Sequence, residues 1–206
     1  KGDEQAVLAI YEKAFQRQPG TGTLLGLAGQ KLSRGDAPGA RELYQRWIDG
    51  NPEDVAVRMA LANMHVKAGD TALAIAQYQQ VLGHDGNNLV ALNNLAWFLR
   101  DTDSKQAVEY ALQAVEIDGQ AAAIQDTLAM ALLADGQLNE AKNAIAKALG
   151  KTPDNASMRY HRVLINLASD QKSSAVSELK RLLKGGGQFS ERQEAEALLE
   201  RVSLGD

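Results

Sequence analysis

Cysteine is absent from the 206 residues, which excludes disulfides, thiol nucleophiles and cysteine-ligated zinc or iron–sulfur clusters. Aromatics are scarce at 5%, and there are only four prolines. Neither charge sign dominates: 22 basic and 26 acidic residues leave a net charge of −4. Bulk attraction to nucleic acid or to an anionic membrane is therefore not expected. No apolar run approaches the roughly 18 residues of a membrane helix. No basic start followed by an apolar stretch marks a signal peptide. The three histidines, His65, His84 and His161, never reach a His-x-x-x-His or His-Glu spacing, so a metal site has no support.

What the chain has in abundance is Ala and Leu, 33 and 27 residues, the types that lose least on entering a helix. They recur with a period. The breakers Pro19, Pro52, Gly86, Gly119, Pro153 and Gly187 lie 33, 34, 33, 34 and 34 residues apart. Between them stand Leu27-Ala28, Leu61-Ala62, Leu95-Ala96 and Leu128-Ala129. Ala40, Ala74, Ala107, Ala141 and Ala175 follow, in most copies with a bulky residue four later: Tyr44, Tyr78, Ile145 and Leu179.

Each element of the period has a physical reading. A small residue on each of two helices permits close approach, and the bulky residue at i+4 fills the space beside the contact. Gly35, Gly69 and Gly136 are placed to end a first helix in the left-handed conformation. Asp36 and Asp70 follow as caps of the second helix, with Gln137 and Asp103 as variants. The boundary prolines suit the opening turn of the next helix. The pattern predicts helix–turn–helix units at 21–52, 55–86, 89–119, 122–153 and 156–187. A half repeat over 1–20 precedes them, with Val7, Tyr11 and Ala14 on one face. A capping helix over 189–204 follows, with Ala195, Leu198, Leu199 and Val202 as its apolar stripe. The opening Lys1-Gly2-Asp3-Glu4-Gln5 reads as a cut or processed start, the array having continued upstream.

This 34-residue pattern resembles the tetratricopeptide repeat (TPR). The Leu-Ala pairs occupy its Leu-Gly pair, Ala40 and its equivalents its central Ala, Tyr44 and Tyr78 its aromatic position, and Ala14, Ala114 and Ala148 its late Ala. The usual Trp of the first helix is replaced by Leu24, Arg58, Leu92, Gln125 and Arg159, and the fifth unit has Arg162-Val163 for Leu-Ala. The resemblance implies an all-α fold: one TPR-type α-solenoid over 1–206, a right-handed superhelix of antiparallel helix pairs with about twelve helices. His65 falls where the repeat puts Tyr and reads as a packing histidine; His84 reads as a solvated loop residue, and His161 as packing beside Tyr160.

Nothing in the sequence points to catalysis or to a cofactor. Gly185-Gly186-Gly187 lacks the Lys-Ser/Thr and the preceding strand of a phosphate loop and reads as a hinge. Ser173, Ser174 and Ser203 have no His or Asp partner at a motif spacing. The chain is read as a non-enzyme.

A helix-pair solenoid binds along its first helices. By analogy with the family, the inward positions are Met59, Asn63 and Val66; Val90, Asn93, Trp97 and Arg100; Asp126, Met130 and Leu133; Tyr160 and Leu164. Met59, Asn63, Asn93, Trp97, Arg100, Asp126, Met130 and Tyr160 are the candidate partner-binding residues. Asn offers a peptide backbone both donor and acceptor, and Trp97, Tyr160 and the methionines offer apolar contact. Asn63 and Asn94 match the two Asn with which some TPR domains grip a peptide carboxylate. The basic positions of that clamp are here Met59, Ala123 and Thr127, so it is rejected, and Asn94 is read as serving an inter-repeat hydrogen bond.

A narrower resemblance runs through Asn93-Asn94-Leu95-Ala96-Trp97-Phe98-Leu99, Ala107-x-x-Tyr110-Ala111-x-x-Ala114, Asp126-Thr127-Leu128-Ala129, Tyr160-His161 and Phe189-Ser190-Glu191-Arg192 with Leu198-Leu199. These segments are similar to the C-terminal end of a bacterial TPR lipoprotein of the PEP-CTERM/exosortase system. Membership would imply a scaffold on the periplasmic side of the outer membrane, acting in exopolysaccharide production or export or in protein sorting. Its groove would hold a protein or peptide, with membrane attachment only through a lipid anchor outside this segment. The alternative reading is a cytosolic TPR adaptor, or the regulatory arm of a larger enzyme.

Overall fold

The computed structural model describes residues 2–185 and 189–204. Among them are twelve α-helices and no strand. They are α1 (Gly2–Arg17), α2 (Thr21–Ser33), α3 (Ala37–Gly50), α4 (Val55–Ala68), α5 (Thr71–His84), α6 (Leu89–Leu99), α7 (Ser104–Asp118), α8 (Ala122–Ala134), α9 (Leu138–Lys151), α10 (Ala156–Ala168), α11 (Lys172–Lys184) and α12 (Arg192–Leu204). The all-α, paired-helix class expected from the period is the class observed. The chain forms two compact units, Lys1–Ala91 and Leu92–Asp206. Of the triple glycine only Gly185 is described; the breaker Gly187 and most of the expected hinge lie outside the described residues.

The recurring alanines are enclosed, as small residues at close helix crossings are expected to be. Ala28, Ala62, Ala96 and Ala129 are fully buried, as are Ala40, Ala74, Ala107, Ala141 and Ala175. In the first unit Ala28 and Ala40 share a core with Leu24, Tyr44, Ile48, Val57, Leu61 and Met64, and Phe15 and Trp47 pack against it. Each buried Leu of such a core contributes about 1.5–3 kcal/mol. Ala74→Leu is expected to overpack its crossing and cost about 1–3 kcal/mol. The same change at exposed Gln79 should leave the melting temperature nearly unchanged, and comparing the two thermal melts checks the register.

Helix ends follow two recurring designs. Gly35, Gly69 and Gly136 have φ of +79°, +78° and +77°. Each glycine N–H bonds three residues back and the next N–H five back, as Gly69 does to Val66 O at 3.1 Å and Asp70 to His65 O at 2.9 Å, the paired hydrogen bonds of a Schellman ending. In the fifth unit Asp170 holds the same place at φ 57°. Asp is among the few non-glycine residues that tolerate this region. The third unit has no such residue: α6 is the shortest helix, and α7 is capped by Asp103 accepting from Gln106 N–H at 3.1 Å.

Between units runs a four-residue turn closed from its fourth N–H to its first carbonyl. It spans Asn51–Asp54, Asp85–Asn88, Asp118–Ala121 and Thr152–Asn155, at 3.1, 3.0, 3.4 and 3.1 Å. Pro52 and Pro153 occupy the second place of this turn, where their fixed φ is favoured, and not the opening turn of the next helix as the sequence suggests. Asp36 caps as expected, accepting from Gly39 N–H at 2.9 Å. Asp70 and Gln137 accept no such bond; the Asp70 carboxylate instead sits 3.6 Å from His65 Nδ1. His65 is buried, and His84 is the exposed last residue of α5 rather than a loop residue.

Two of the three polar residues at the family's Trp position have a common use, while the third, Arg159, bonds to Glu178. Arg58 Nε donates to Pro52 O at 2.7 Å, and Gln125 Nε2 donates to Gly119 O at 2.9 Å. Both side chains are buried and satisfy a carbonyl of the turn before their own helix. Asp54 does the corresponding work between helices of the first unit. Its carboxylate accepts from Thr21 Oγ on α2, from Trp47 Nε1 on α3 at 2.8 Å, and from Val57 N–H at 3.2 Å. Burial alone would raise its pKa, but these bonds outweigh it and hold the group below the ordinary carboxylate value.

Candidate functional site

Trp97 lies in the last full turn of α6 and is half-buried. Arg100 follows at i+3 on the same face. Its guanidinium carbon stands 3.9 Å from the Trp97 ring centre, and its Nη1 donates to Trp97 O at 2.7 Å. The cation is held over the π face, and Asp101 is 3.4 Å from its other terminal nitrogen.

On the other side of Trp97 is His161 of α10, with ring centres 5.7 Å apart. His161 is 4% exposed and bonds through Nδ1 to Asp126 Oδ1 of α8 at 2.8 Å. A carboxylate only accepts, so Nδ1 carries the proton. Trp97, Asp126 and His161 thus join three successive first helices, α6, α8 and α10. Among the described residues no hydroxyl is hydrogen-bonded to His161.

Three residues expected to face a partner are instead enclosed. Asp126 is 9% exposed and committed to His161. Met130 is buried on the same helix. Tyr160 is 7% exposed and packs on Phe189, ring centres 6.3 Å apart, in the core that Ala195 and Leu198 of α12 complete. Burial and the nearby Glu194 and Glu191 push its phenol pKa up, so it stays neutral. The reason is local: each inward position here is followed by another first helix or by the cap, which covers it. Asn93 is half-buried, and its Oδ1 is enclosed with no donor, so its acceptor half is not presented to a peptide. Asn94 makes no side-chain hydrogen bond within the described chain, contrary to the inter-repeat role read from sequence. Sequence reasoning took His161 for packing and missed its pairing with Asp126.

In the first unit Met59 is half-buried and Asn63 exposed. Tyr78 of α5 donates its hydroxyl to Asn63 Oδ1 at 2.9 Å. Asn63 lines a cleft of about 490 Å³ formed by α2, α3 and α4.

The tetratricopeptide-repeat profile matches residues 25–88, 59–122 and 127–191, well over half of the chain. The chain belongs to the tetratricopeptide-repeat family. A TPR protein from Parabacteroides merdae ATCC 43184 superposes with a TM-score of 0.78 at 13% identity, covering 98% of this chain and 80% of that one. YrrB, described as a TPR protein with an unusual peptide-binding site, gives 0.70 at 18% identity over 84% and 91% of the two chains. MamA from Desulfovibrio magneticus RS-1 gives 0.68 at 19% identity over 86% and 94%. At these identities the likeness is one of fold. No curated protein matches the chain. A TPR fold is a framework for protein–protein interaction, and the first helices α6, α8 and α10 carry the aromatic and charged groups just described. No helix among the described residues is long and apolar enough to cross a membrane.

Proposed function

We propose that this TPR chain is a non-catalytic scaffold that binds a protein or peptide partner, and that it works in the bacterial cell envelope in exopolysaccharide production or export or in PEP-CTERM protein sorting. The interaction role is carried by one observation: a half-buried Trp97 on a first helix, backed by His161 and covered by a stacked Arg100. Large aromatics and arginine dominate binding energy where they meet a partner. The envelope role is supported by the sequence resemblance of segments 93–99, 107–114, 126–129, 160–161 and 189–192 to the lipoprotein family. Attachment to the periplasmic side of the outer membrane would come through a lipid anchor outside this segment.

The test is the double variant Asn93→Ala with Trp97→Ala. Binding to the native partner should weaken by at least about tenfold, with helicity by circular dichroism unchanged. Equal binding by the double variant would remove the Trp97 face from the reading. Fractionation of the producing cell tests the placement: recovery in the cytosol would favour an adaptor or the regulatory arm of an enzyme.

A further inference from the structure

The cleft in the first unit holds an uncompensated charge pattern. Its apolar wall is Tyr44, Met64 and Leu32, its rim carries Arg41 and Lys67, and no carboxylate lines it. Both cations are exposed and neither has an ion-pair partner among the described residues. The acids on the neighbouring helices are taken by other groups: Asp36 pairs with Lys31 at 2.9 Å, Glu42 with Arg46 at 3.5 Å, and Asp70 stands beside His65. Two free cations at one cleft contrast with a chain whose net charge is −4.

The polar groups of the cleft are similarly free on one side. Asn63 spends its Oδ1 on the Tyr78 hydroxyl, and its two amide N–H donors meet no acceptor in the described chain. The Tyr44 hydroxyl, kept neutral because burial pushes its pKa up, also has no protein partner. An apolar wall with free donors on Asn63 and Tyr44, and positive charge at the rim, complements a ligand with an apolar side chain, backbone carbonyls and a carboxylate.

We propose that this cleft binds an acidic peptide segment, seating one apolar side chain against Tyr44 and Met64, with Asn63 donating to its backbone and a neighbouring carboxylate held by Arg41 and Lys67. The cations missing from the family's clamp positions are thus supplied from a second helix and from the end of a first helix. The inference rests on the interaction-scaffold reading but uses residues separate from the Trp97 face.

The experiment is selection from a displayed random heptapeptide library. The native protein should enrich sequences with Asp or Glu next to Leu, Met or Phe. The best of these, made as a synthetic peptide, should bind the Arg41→Glu, Lys67→Glu variant about tenfold or more weakly. That variant, whose changes are exposed and should leave the thermal melt intact, should select basic peptides instead. Amide shifts of the native protein should move at Asn63 and Lys67 on titration with the peptide. No acidic–apolar enrichment, the same selection by the charge-reversed variant, or binding of a polyuronate oligomer in place of peptide would overturn it. Peptides whose binding depends on Trp97 and not on Arg41 and Lys67 would sink this inference while leaving the scaffold reading in place.

Discussion

Tyr78→Ala is expected to destabilise the first unit by about 3–5 kcal/mol, the range for emptying a large aromatic site. Tyr78 is 1% exposed, the largest of the fully buried side chains, and stands four residues after Ala74 on α5. It fills the space that the small alanine leaves beside the crossing with α4. The helices cannot move together to close the hole, because the small, fully buried Ala62 and Ala74 already let them approach as far as side chains allow. The hole therefore stays largely open. Tyr78→Phe keeps the volume and removes the bond to Asn63 Oδ1; because Asn63 is exposed, water replaces the donor and the cost falls to about 1 kcal/mol or less. Urea titration of the two variants separates packing from hydrogen bonding. Losses of similar size would mean that the ring is not a packing element.

Glu178→Ala is expected to cost the second unit about 3 kcal/mol, the lower end for removing one side of a buried ion pair. Glu178 is buried on α11 and gathers three arginines. Arg159 Nε and Arg162 Nη2 of α10 lie 2.8 and 2.9 Å from its Oε1, and Arg181 lies 3.2 Å from its Oε2. Without the carboxylate these guanidinium groups repel one another across the α10–α11 contact. Their partial exposure lets water relieve some of that, which keeps the figure low.

The same residue gives a pH signature. Burial pushes its pKa up, but the Arg159 hydrogen bond and the charges of Arg162 and Arg159 outweigh it, and the net shift is downward from 4.5. A folded-state value below the unfolded one stabilises the protein above the ordinary carboxylate range, and that stabilisation is lost as pH falls through the folded value. Glu178→Gln should thus show a shallower acid loss than the native chain in urea titrations run from neutral pH downward. A parallel acid limb would show that the cluster is not the source.

The architecture was legible because it is written in residue size at a fixed spacing. Ala28 and Ala40, or Ala62 and Ala74, can be recognised as crossing points from their recurrence alone, and so can the left-handed glycines. The candidate site was less legible, since a repeat gives position on a helix but not what covers it. Asn93, Asp126 and Tyr160 occupy equivalent places, yet Asn93 is half-buried, Asp126 is claimed by His161, and Tyr160 is sealed by Phe189. Those differences arise from the following helix, 35 residues away in the case of Asp126 and His161. The charged rim at Arg41 and Lys67 escaped notice because Arg41 belongs to a second helix, where family analogy does not look. The Glu178 cluster was hidden for a related reason: two of its three arginines come from the neighbouring helix, 19 residues away in the case of Arg159.

The four inter-unit turns have the same length and the same closing bond, whether Pro or Gly stands second. Their ends are thus interchangeable joints. A gene that loses or duplicates the stretch between two of them, by unequal recombination, rejoins the chain at a junction that already closes, so array length can evolve by whole units without any new loop having to be invented.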